Sequence, residues 1–239
     1  MPAFLASVRS FAEAQLAVAE GCDWLDLKEP AEGALGAPSA ATVRAVVGAY
    51  AGQLPVSATT GDCWDTPVEI PRRVAAHAGL GVPWVKFGIF ARLLDQPFCA
   101  ELKAAAACGP RLIAVNFAED PLEEAGIARL ANLGLAGVML DTANKAAGSL
   151  TSHLSLERLQ TFVAAARRHG LIVGLAGSLR AADVSALAAL SPDYLGFRGA
   201  LCGGQRTACL DPLAMRDIRA RLTASSPSLI PAGAAHGLA

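Results

Sequence analysis

A strand-like pattern that ends on a lysine runs through Trp24-Leu25-Asp26-Leu27-Lys28-Glu29-Pro30. Successive side chains of a β-strand point to opposite faces, so this alternation places Trp24, Asp26 and Lys28 on one face. Leu25 and Leu27 lie on the other face, and Pro30 ends the pattern because it has no N–H for a strand ladder. A carboxylate and an amine therefore share one face of an otherwise apolar strand.

Two charged groups on a buried strand face destabilise a fold unless they are paired or used in chemistry. We interpret Lys28 as an amine nucleophile and Asp26 as its partner. The alternative is a structural ion pair at the end of a strand, and this stretch alone does not distinguish the two. The rest of the chain must decide between them.

The composition is typical of a compact globular protein with a large apolar core. Hydrophobic residues make up 53% of the 239 residues and charged residues 17%, which is too little charge for a disordered chain. The net charge is -1, the pI is near 6.4 and no basic run occurs. We therefore predict that the protein has no nucleic-acid partner.

The chain also lacks the signals of membrane insertion and of metal binding. Residues 1–9 are too short and too polar for a signal peptide, and no apolar run reaches the roughly 20 residues of a membrane helix. We expect a cytoplasmic protein with no membrane partner. The six cysteines show no CxxC spacing and no paired histidine, so we predict neither a metal site nor a disulfide framework. The apolar composition allows a homo-oligomer that associates through helix faces.

Lysine is rare in this chain. Only four of the 20 basic residues are lysines, at positions 28, 86, 103 and 145, and the others are arginines. An arginine keeps its charge in a protein, whereas a desolvated lysine can lose its proton. Lysines without a particular function would be scattered over the surfaces of the helices. The positions of the four lysines therefore test whether the protein uses them for amine chemistry.

Short apolar strands alternate with amphipathic helices along the chain. The predicted strands span residues 4–8, 23–28, 54–59, 84–88, 111–117, 137–141, 171–176 and 194–197. The predicted helices span residues 11–20, 39–50, 67–78, 97–108, 121–133, 155–169, 181–190 and 212–222. Such alternation predicts an α/β protein of the (β/α)8 TIM-barrel class, with one catalytic domain over residues 1–222 and a flexible tail over residues 223–239. An open doubly wound sheet would need a glycine-rich turn after the first strand, and Val8-Arg9-Ser10 is not one.

Most of the lysines fall where the active sites of such barrels lie. In a (β/α)8 barrel the loops that follow the strands form the catalytic face. Lys28 and Lys86 end the second and fourth strands, Asp141 ends the sixth, and Lys145 follows in the sixth loop. Alternation turns Asp26 toward the same interior. The sequence therefore predicts that these amines and carboxylates converge at one site.

The predicted site contains the groups that amine catalysis requires. Schiff-base chemistry needs a neutral amine, and an ordinary lysine, with a pKa of about 10.4, is almost always charged at neutral pH. Partial desolvation and a second ammonium nearby both lower the pKa of a lysine. Lys28 and Lys86 are placed to act on each other in this way. Asp26 and Asp141 oppose the shift, so we expect them to move protons or to hold the amines in place.

A second candidate region follows the seventh and eighth strands. Its segments are Leu175-Ala176-Gly177-Ser178 and Gly196-Phe197-Arg198-Gly199-Ala200. Glycines let the backbone approach a ligand, and phosphate sites of this fold commonly form between these two loops. The residues predicted to bind a substrate phosphate are Gly177, Ser178, Arg198, Gly199 and Ala200, with residues 203–206 as an extension. The alternative is that the glycines serve only as turn residues.

Several segments, taken in order, resemble one enzyme family. They are Asp26-x-Lys28-x-Pro30-x-x-Gly33-x-Leu35-Gly36, Ser57-Ala58-Thr59-x-Gly61-Asp62, Lys86-x-Gly88, Met139-Leu140-Asp141-Thr142-x-x-Lys145, Leu175-Ala176-Gly177-Ser178 and Gly196-x-Arg198-Gly199-Ala200-x-Cys202. The chain resembles the (5-formylfuran-3-yl)methyl phosphate synthase family, whose members make the furan precursor of methanofuran-type cofactors.

The resemblance implies a lyase whose small-molecule substrate is glyceraldehyde 3-phosphate. Two molecules condense to the furan phosphate with loss of one phosphate and two waters. The resemblance also implies that Lys28 forms the Schiff base, that Lys86 accepts a proton, and that no metal or organic cofactor is required. Asp26, Asp141 and Lys145 would assist the proton transfers. Another lysine-dependent aldolase of a sugar phosphate, or a phospho-ligand-binding barrel without turnover, remains the alternative.

Overall fold

The computed structural model describes residues 1–63, 65–94, 97–145 and 147–225, which form a closed barrel of parallel strands. The strands are β1 (Ala3–Val8), β2 (Trp24–Leu27), β3 (Val56–Thr59), β4 (Trp84–Ile89), β5 (Arg111–Phe117), β6 (Gly137–Asp141), β7 (Ile172–Leu175) and β8 (Tyr194–Phe197). Each strand pairs with the next in sequence, and β8 closes the ring on β1. The predicted (β/α)8 barrel is confirmed.

Helices connect the strands around the outside of the barrel. In the described part of the chain they are α1 (Phe11–Ala19), α2 (Ala40–Tyr50), α3 (Ile70–Gly79), α4 (Phe98–Cys108), α5 (Glu124–Asn132), α6 (Leu150–His153), α7 (Leu156–Arg168), α8 (Val184–Ala189) and α9 (Pro212–Ala224). Short 3-10 turns occur at Pro30–Glu32, Pro67–Glu69, Ala91–Leu93, Ala181–Asp183 and Gly199–Cys202. The sequence pattern does not predict α6 or these turns, because segments of this length carry too little periodicity.

Several predicted boundaries differ from the structure by one to three residues, and two of these differences have identifiable reasons. β2 ends at Leu27 rather than at Lys28, because its pairing with β3 stops at Leu27. Lys28 follows directly, and its N–H donates to the carbonyl of Val8. The helix predicted between β3 and β4 begins as a 3-10 turn, and α3 starts at Ile70 with Pro71 in its first turn. A proline there costs no helical hydrogen bond.

Alternation along the strands separates two apolar layers. Leu25, Val85 and Leu140 face outward and pack in the large core between the strands and the helices. Trp24 and Trp84 belong to a smaller core inside the barrel. The faces predicted from alternation are confirmed. Asp26 on β2 and Lys86 on β4, two residues after these tryptophans, therefore also point into the barrel.

Aromatic rings fill the interior of the barrel below the ends of the strands. The ring centroids of Trp24 and Trp84 lie 4.9 Å apart, and those of Trp24 and Tyr194 lie 5.0 Å apart. Gly174 makes room for Tyr194, because a Cβ at this glycine would lie 2.1 Å from the tyrosine ring. Apolar packing thus closes this part of the barrel, and the polar residues of β2 and β4 lie above it, toward the C-terminal ends of the strands.

The last described helix ends close to the predicted boundary of the barrel. α9 ends at Ala224, two residues beyond the predicted position 222. Residues 223 and 224 of the predicted flexible tail are therefore helical, and its residues 226–239 lie outside the described residues. Among the helices that the structure describes, none is long and apolar enough to cross a membrane.

Candidate active site

One cavity opens at the C-terminal end of the barrel and encloses about 330 Å³. It is lined by every residue that the sequence places in the site. These residues are Asp26, Lys28, Lys86, Asp141, Lys145, Gly177, Ser178, Arg198, Gly199 and Ala200. The amines and the glycine-rich loops, predicted from separate patterns, therefore border the same space.

Lys86 lies deepest among the amines of the cavity, with 1% of its surface exposed. Its Nζ lies 3.0 Å from Asp26 Oδ1, yet it makes no well-directed hydrogen bond with the described residues. The ring centroids of Trp24 and Tyr194 lie 5.8 and 5.2 Å from Nζ. Burial lowers the pKa of Lys86, the carboxylate of Asp26 opposes this shift, and the charge of Lys28 adds to it.

Asp26 is fixed by the strands on either side of β2. Ser7 Oγ on β1 donates to Asp26 Oδ2 at 2.9 Å, and Ser57 Oγ on β3 donates to Oδ1 at 2.6 Å. Trp24 Nε1 donates in turn to Ser57 Oγ at 3.1 Å. The strand register places both serines directly beside Asp26. These bonds hold the carboxylate in a fixed orientation toward Lys86.

Lys28 and Lys145 share the carboxylate of Asp141. Lys28 Nζ lies 3.5 Å from Asp141 Oδ2, and Lys145 Nζ donates to Oδ1. The N–H of Thr142 also donates to Oδ1, at 2.7 Å. Both Asp141 and Lys28 are buried, with 3% and 7% of their surfaces exposed. The carboxylate therefore lies between two amines, an arrangement in which a proton can pass from one to the other.

The predicted pairing of Lys28 with Asp26 is wrong. Asp26 forms an ion pair with Lys86, and Lys28 forms one with Asp141. Side chains two residues apart on one strand begin about 6–7 Å apart and point the same way, so they meet partners on other strands more readily than each other. The site thus contains two amine–carboxylate pairs between strands instead of one pair on β2.

Opposing effects set the protonation states around Asp141. Burial raises the pKa of Asp141, but the charges of Lys145 and Lys28 and the hydrogen bonds outweigh burial and hold it at about 2. Burial lowers the pKa of Lys145 to about 8, although Asp141 opposes the shift. Near neutral pH, Asp141 is therefore a carboxylate and a fraction of Lys145 is a neutral amine.

The loop after β2 is clamped by side chains from β3 and the loop after it. Asp62 accepts hydrogen bonds from the N–H groups of Ala34 and Leu35, at 3.0 and 2.7 Å. Thr59 Oγ1 donates to the carbonyl of Gly36 at 2.8 Å. Two of the segments that carry the family resemblance thus form one structural unit on the wall of the cavity.

The loop after β7 packs tightly against the end of β6. Gly177 has a φ of 101°, and a Cβ at this position would lie 3.0 Å from the backbone nitrogen of Thr142. Only glycine takes this conformation and this close approach without strain. Ser178 also has a left-handed backbone, with a φ of 49°. This packing keeps the loop on the cavity wall beside Lys145.

Protein acceptors surround the guanidinium of Arg198. Nε donates to the carbonyl of Arg206, Nη1 donates to the carbonyl of Ser7 and to Glu13, and Nη2 donates to Glu13 and to the carbonyl of Ala208. A guanidinium has five N–H donors, so each of them has a protein acceptor. Arg198 therefore braces the loop after β8, and a phosphate could reach its guanidinium only by displacing one of these acceptors.

The predictions from sequence do not include the groups that hold the site in place. Strand alternation could have indicated Ser7 and Ser57, because both occupy inward positions beside Asp26. Glu13 carries only the signal of a helix start, three residues after the capping residue Ser10. Its partner Arg198 lies 185 residues away in the sequence, and no local pattern connects them.

The lining of the cavity is suited to an anionic organic ligand. It presents lysine amines, arginine guanidinium groups and glycine-rich backbone. Across residues 1–63, 65–94, 97–145 and 147–225, no group of three or more His, Cys, Asp or Glu side chains is placed to hold a metal ion.

The sequence is similar to that of one protein family over almost the full length of the barrel. The family model described as 4-HFC-P synthase matches residues 4–219. A protein of Methylorubrum extorquens, provisionally named (5-formylfuran-3-yl)methyl phosphate synthase, is 46% identical over 201 residues, which are 84% of this chain and 83% of that protein. The (5-formylfuran-3-yl)methyl phosphate synthase of Methanopyrus kandleri is 32% identical over 214 residues, which are 84% of this chain and 90% of that protein.

Solved structures share the architecture at low sequence identity. 3-Hexulose-6-phosphate synthase from Salmonella typhimurium has a TM-score of 0.66 and 14% identity, covering 93% of this chain and 99% of that chain. Phosphoribosyl anthranilate isomerase from Thermus thermophilus has a TM-score of 0.67 and 16% identity, covering 94% and 99%. At such identities the likeness concerns the fold alone.

Proposed function

The chain belongs to the 4-HFC-P synthase family, and we propose its function from this membership and from the site. In this proposal it is an enzyme that condenses two molecules of glyceraldehyde 3-phosphate to (5-formylfuran-3-yl)methyl phosphate, a precursor of methanofuran-type cofactors. The observation that carries the proposal is the pairing of two buried lysines with two buried carboxylates in one cavity, beside glycine-rich loops. The names of the relatives indicate the product, and the cavity has the groups that its chemistry needs.

Lys28 is the amine that we assign to the Schiff base. It faces the cavity from the end of β2 and must be neutral to attack an aldehyde. Its proton can pass through Asp141 to Lys145, because a group with a pKa of about 8 is neutral in about a tenth of molecules at pH 7. The attack forms a C–N bond and expels water, and the resulting iminium makes the proton on the neighbouring carbon acidic.

Lys86 is the group that we assign to accept that proton. Burial lowers its pKa, so its neutral form is more populated than that of an exposed lysine. Removal of the proton leaves an enamine, which can form a carbon–carbon bond or release inorganic phosphate from the next carbon by cleavage of the carbon–oxygen bond. The carboxylate of Asp26, 3.0 Å away, stabilises the ammonium that forms on Lys86.

The atoms of the overall reaction balance. Two triose phosphates lose one phosphate and two waters to give the furan phosphate. The water released when the imine forms is consumed again when the product is hydrolysed from Lys28. Phosphate and water leave through carbon–oxygen bond cleavage, so the activity is that of a carbon–oxygen lyase, and the balance needs no external oxidant or reductant.

The loops after β7 and β8 are assigned to the phosphate of the first substrate. Gly177, Ser178, Gly199 and Ala200 line the cavity, where backbone N–H groups can approach an anion closely. Arg198 contributes by bracing the second of these loops. This assignment accounts for one phosphate.

Product analysis tests the proposed function. The purified protein, supplied with glyceraldehyde 3-phosphate alone, should produce a furan chromophore, with one furan and one inorganic phosphate for every two triose phosphates consumed. Lys86→Met, which keeps a long apolar side chain but removes the amine, should produce neither. A phosphorylated sugar without furan would indicate a simple aldolase, and binding without turnover would indicate a non-catalytic barrel.

A further inference from the structure

Six basic side chains border the cavity, and five of them form ion pairs with carboxylates of the described chain. The pairs are Lys28–Asp141, Lys145–Asp141, Lys86–Asp26, Arg198–Glu13 and Arg180–Asp183. Arg206 is the sixth, and no carboxylate of the described residues lies within ion-pair distance of it. A cation without a counter-charge on the wall of a substrate cavity is a candidate for binding an anionic ligand.

Arg206 reaches from the loop after β8 to the loop after β2. Its Nη2 donates to the carbonyl of Gly33 at 2.7 Å, which is the only hydrogen bond that its guanidinium makes with the described residues. Four of the five N–H donors of the guanidinium therefore have no acceptor among these residues. Arg198 differs in this respect, since all of its donors are occupied.

We propose that Arg206 binds the phosphate of the second triose phosphate. This inference rests on the proposed function, because that reaction brings two phosphate esters into one cavity and the loops after β7 and β8 account for one. The bond to Gly33 holds the guanidinium at the loop that follows Lys28, so a phosphate bound there presents its substrate to the amine from the β2 side of the cavity.

The chemistry of the guanidinium is suited to this role. Its fork of N–H donors can contact two oxygens of a phosphate at once, which a lysine cannot do. Arg206 is half-buried, and an ion pair in partly desolvated surroundings is stronger than one in water. Burial lowers its pKa, and the charges of Asp141 and Asp62 oppose the shift, which indicates that negative charge at this place is favourable.

A purely structural role for Arg206 would consist of holding the loop after β2. Asp62 holds the same loop through Ala34 and Leu35, but as a carboxylate it cannot bind phosphate. Asp62→Asn therefore weakens the same clamp without removing a cation. Arg72 is a matched control for the loss of an arginine charge, because its side chain is 74% exposed and lies on α3, outside the cavity.

The experiment compares Arg206→Gln with Asp62→Asn, Arg72→Gln and the unchanged protein, using glyceraldehyde 3-phosphate as the probe. Trapping of the protein adduct with borohydride measures binding of the first triose phosphate, because one molecule is enough to form the adduct. Furan formation requires both molecules. In Arg206→Gln, the substrate concentration for half-maximal furan formation should rise by about tenfold or more, while that for trapping changes by less than about twofold. Arg206→Lys keeps the charge and should give an intermediate rise.

Equal values for Arg206→Gln and the unchanged protein would overturn the inference. So would a loss of trapping in proportion to the loss of furan formation, because Arg206 would then serve the first substrate or the fold. If Asp62→Asn reproduces the effect, Arg206 acts only as a clamp and the inference is also overturned. An unchanged protein that forms no adduct and no furan would contradict the proposed function instead, so the two failures are distinguishable.

Discussion

Asp141 connects Lys28 and Lys145, to which the proposed mechanism gives different chemical tasks. Its pKa of about 2 keeps it a carboxylate, so it can accept a proton from Lys28 and stabilise the charge on Lys145. Lys86 forms an ion pair with a separate carboxylate, that of Asp26. In the proposed mechanism, separate carboxylates therefore pair with the amine that bonds to the substrate and with the amine that removes its proton.

The pH dependence of furan formation tests the role of Lys145. Burial lowers its pKa to about 8, and a base acts only when it has lost its proton, so the rate should rise with pH through this value. The neutral fraction of such a group increases about 50-fold between pH 6 and pH 8. Initial rates across this range measure the rise. Lys145→Arg keeps a cation on Asp141 but cannot lose its proton, so it should abolish the rise; a profile that keeps the same rise would assign it to another group.

The loop after β8 is the element on which the proposed phosphate binding depends. Arg198 ties it to α1 through Glu13 and to β1 through the carbonyl of Ser7. The same loop carries Gly199, which lines the cavity, and Arg206, which reaches across to the loop after β2. One buried ion pair thus holds the loop that carries both Gly199, from the first proposed phosphate-binding region, and Arg206.

Glu13→Gln should destabilise this loop and the fold together. The side chains of Glu13 and Arg198 are 9% and 8% exposed, and removing one partner of a buried ion pair leaves an unpaired charge. The free energy of unfolding should fall by about 3 kcal/mol, as urea denaturation would measure. Glu123→Gln is the control, because Glu123 is 72% exposed and an exposed ion pair contributes about 0–1 kcal/mol. Equal effects of the two substitutions would contradict the proposed role of the Glu13 pair.

The barrel separates its inner aromatic core from the charged groups to which we assign the chemistry. Trp24, Trp84 and Tyr194 pack inside it below the carboxylates, and the cavity opens above them at the C-terminal end of the strands. This packing also brings aromatic rings close to Lys86, where they keep water from its amine. The aromatic core therefore contributes to both the stability of the barrel and the lowered pKa of Lys86.

Gly174→Ala tests this packing. A Cβ at Gly174 would lie 2.1 Å from the ring of Tyr194, which is fully buried and packs against Trp24. Overpacking of this kind should lower the free energy of unfolding by about 2 kcal/mol or more, measured by urea denaturation. Gly48→Ala is the matched control, because a Cβ on this residue of α2 meets nothing within 4 Å. Gly48→Ala should raise the free energy of unfolding by about 0.5–1 kcal/mol. If Gly174→Ala also raises it, or if both substitutions lower it, Gly174 is not needed to make room for Tyr194.

The sequence predicts those parts of the site that depend on local pattern. Strand alternation is local, so it placed Lys28, Lys86 and Asp141 inside the barrel, and the order of the strands placed them at the same end. The pairing of Asp26 with Lys86 depends on side-chain geometry between strands, which a pattern within one strand does not contain. The partner of Asp26 was therefore predicted wrongly.

The loops are less predictable than the strands for a related reason. Arg198 lies in a motif that suggested phosphate binding, but its partner Glu13 belongs to a distant helix and occupies its guanidinium. Arg206 follows a 3-10 turn, and its direction is set by the carbonyl of Gly33 in another loop. Such contacts form only when the barrel closes β8 on β1, so short-range periodicity carries no signal for them.

Borohydride trapping followed by mapping of the modified residue identifies the lysine that forms the Schiff base. With glyceraldehyde 3-phosphate as substrate, we expect a reduced adduct of one triose phosphate on Lys28. Lys86→Met should keep this adduct while forming no furan, and Lys28→Met should lose it. An adduct that maps to Lys86 or Lys145, or one that persists unchanged in Lys28→Met, would contradict the assignment of Lys28 as the Schiff-base lysine.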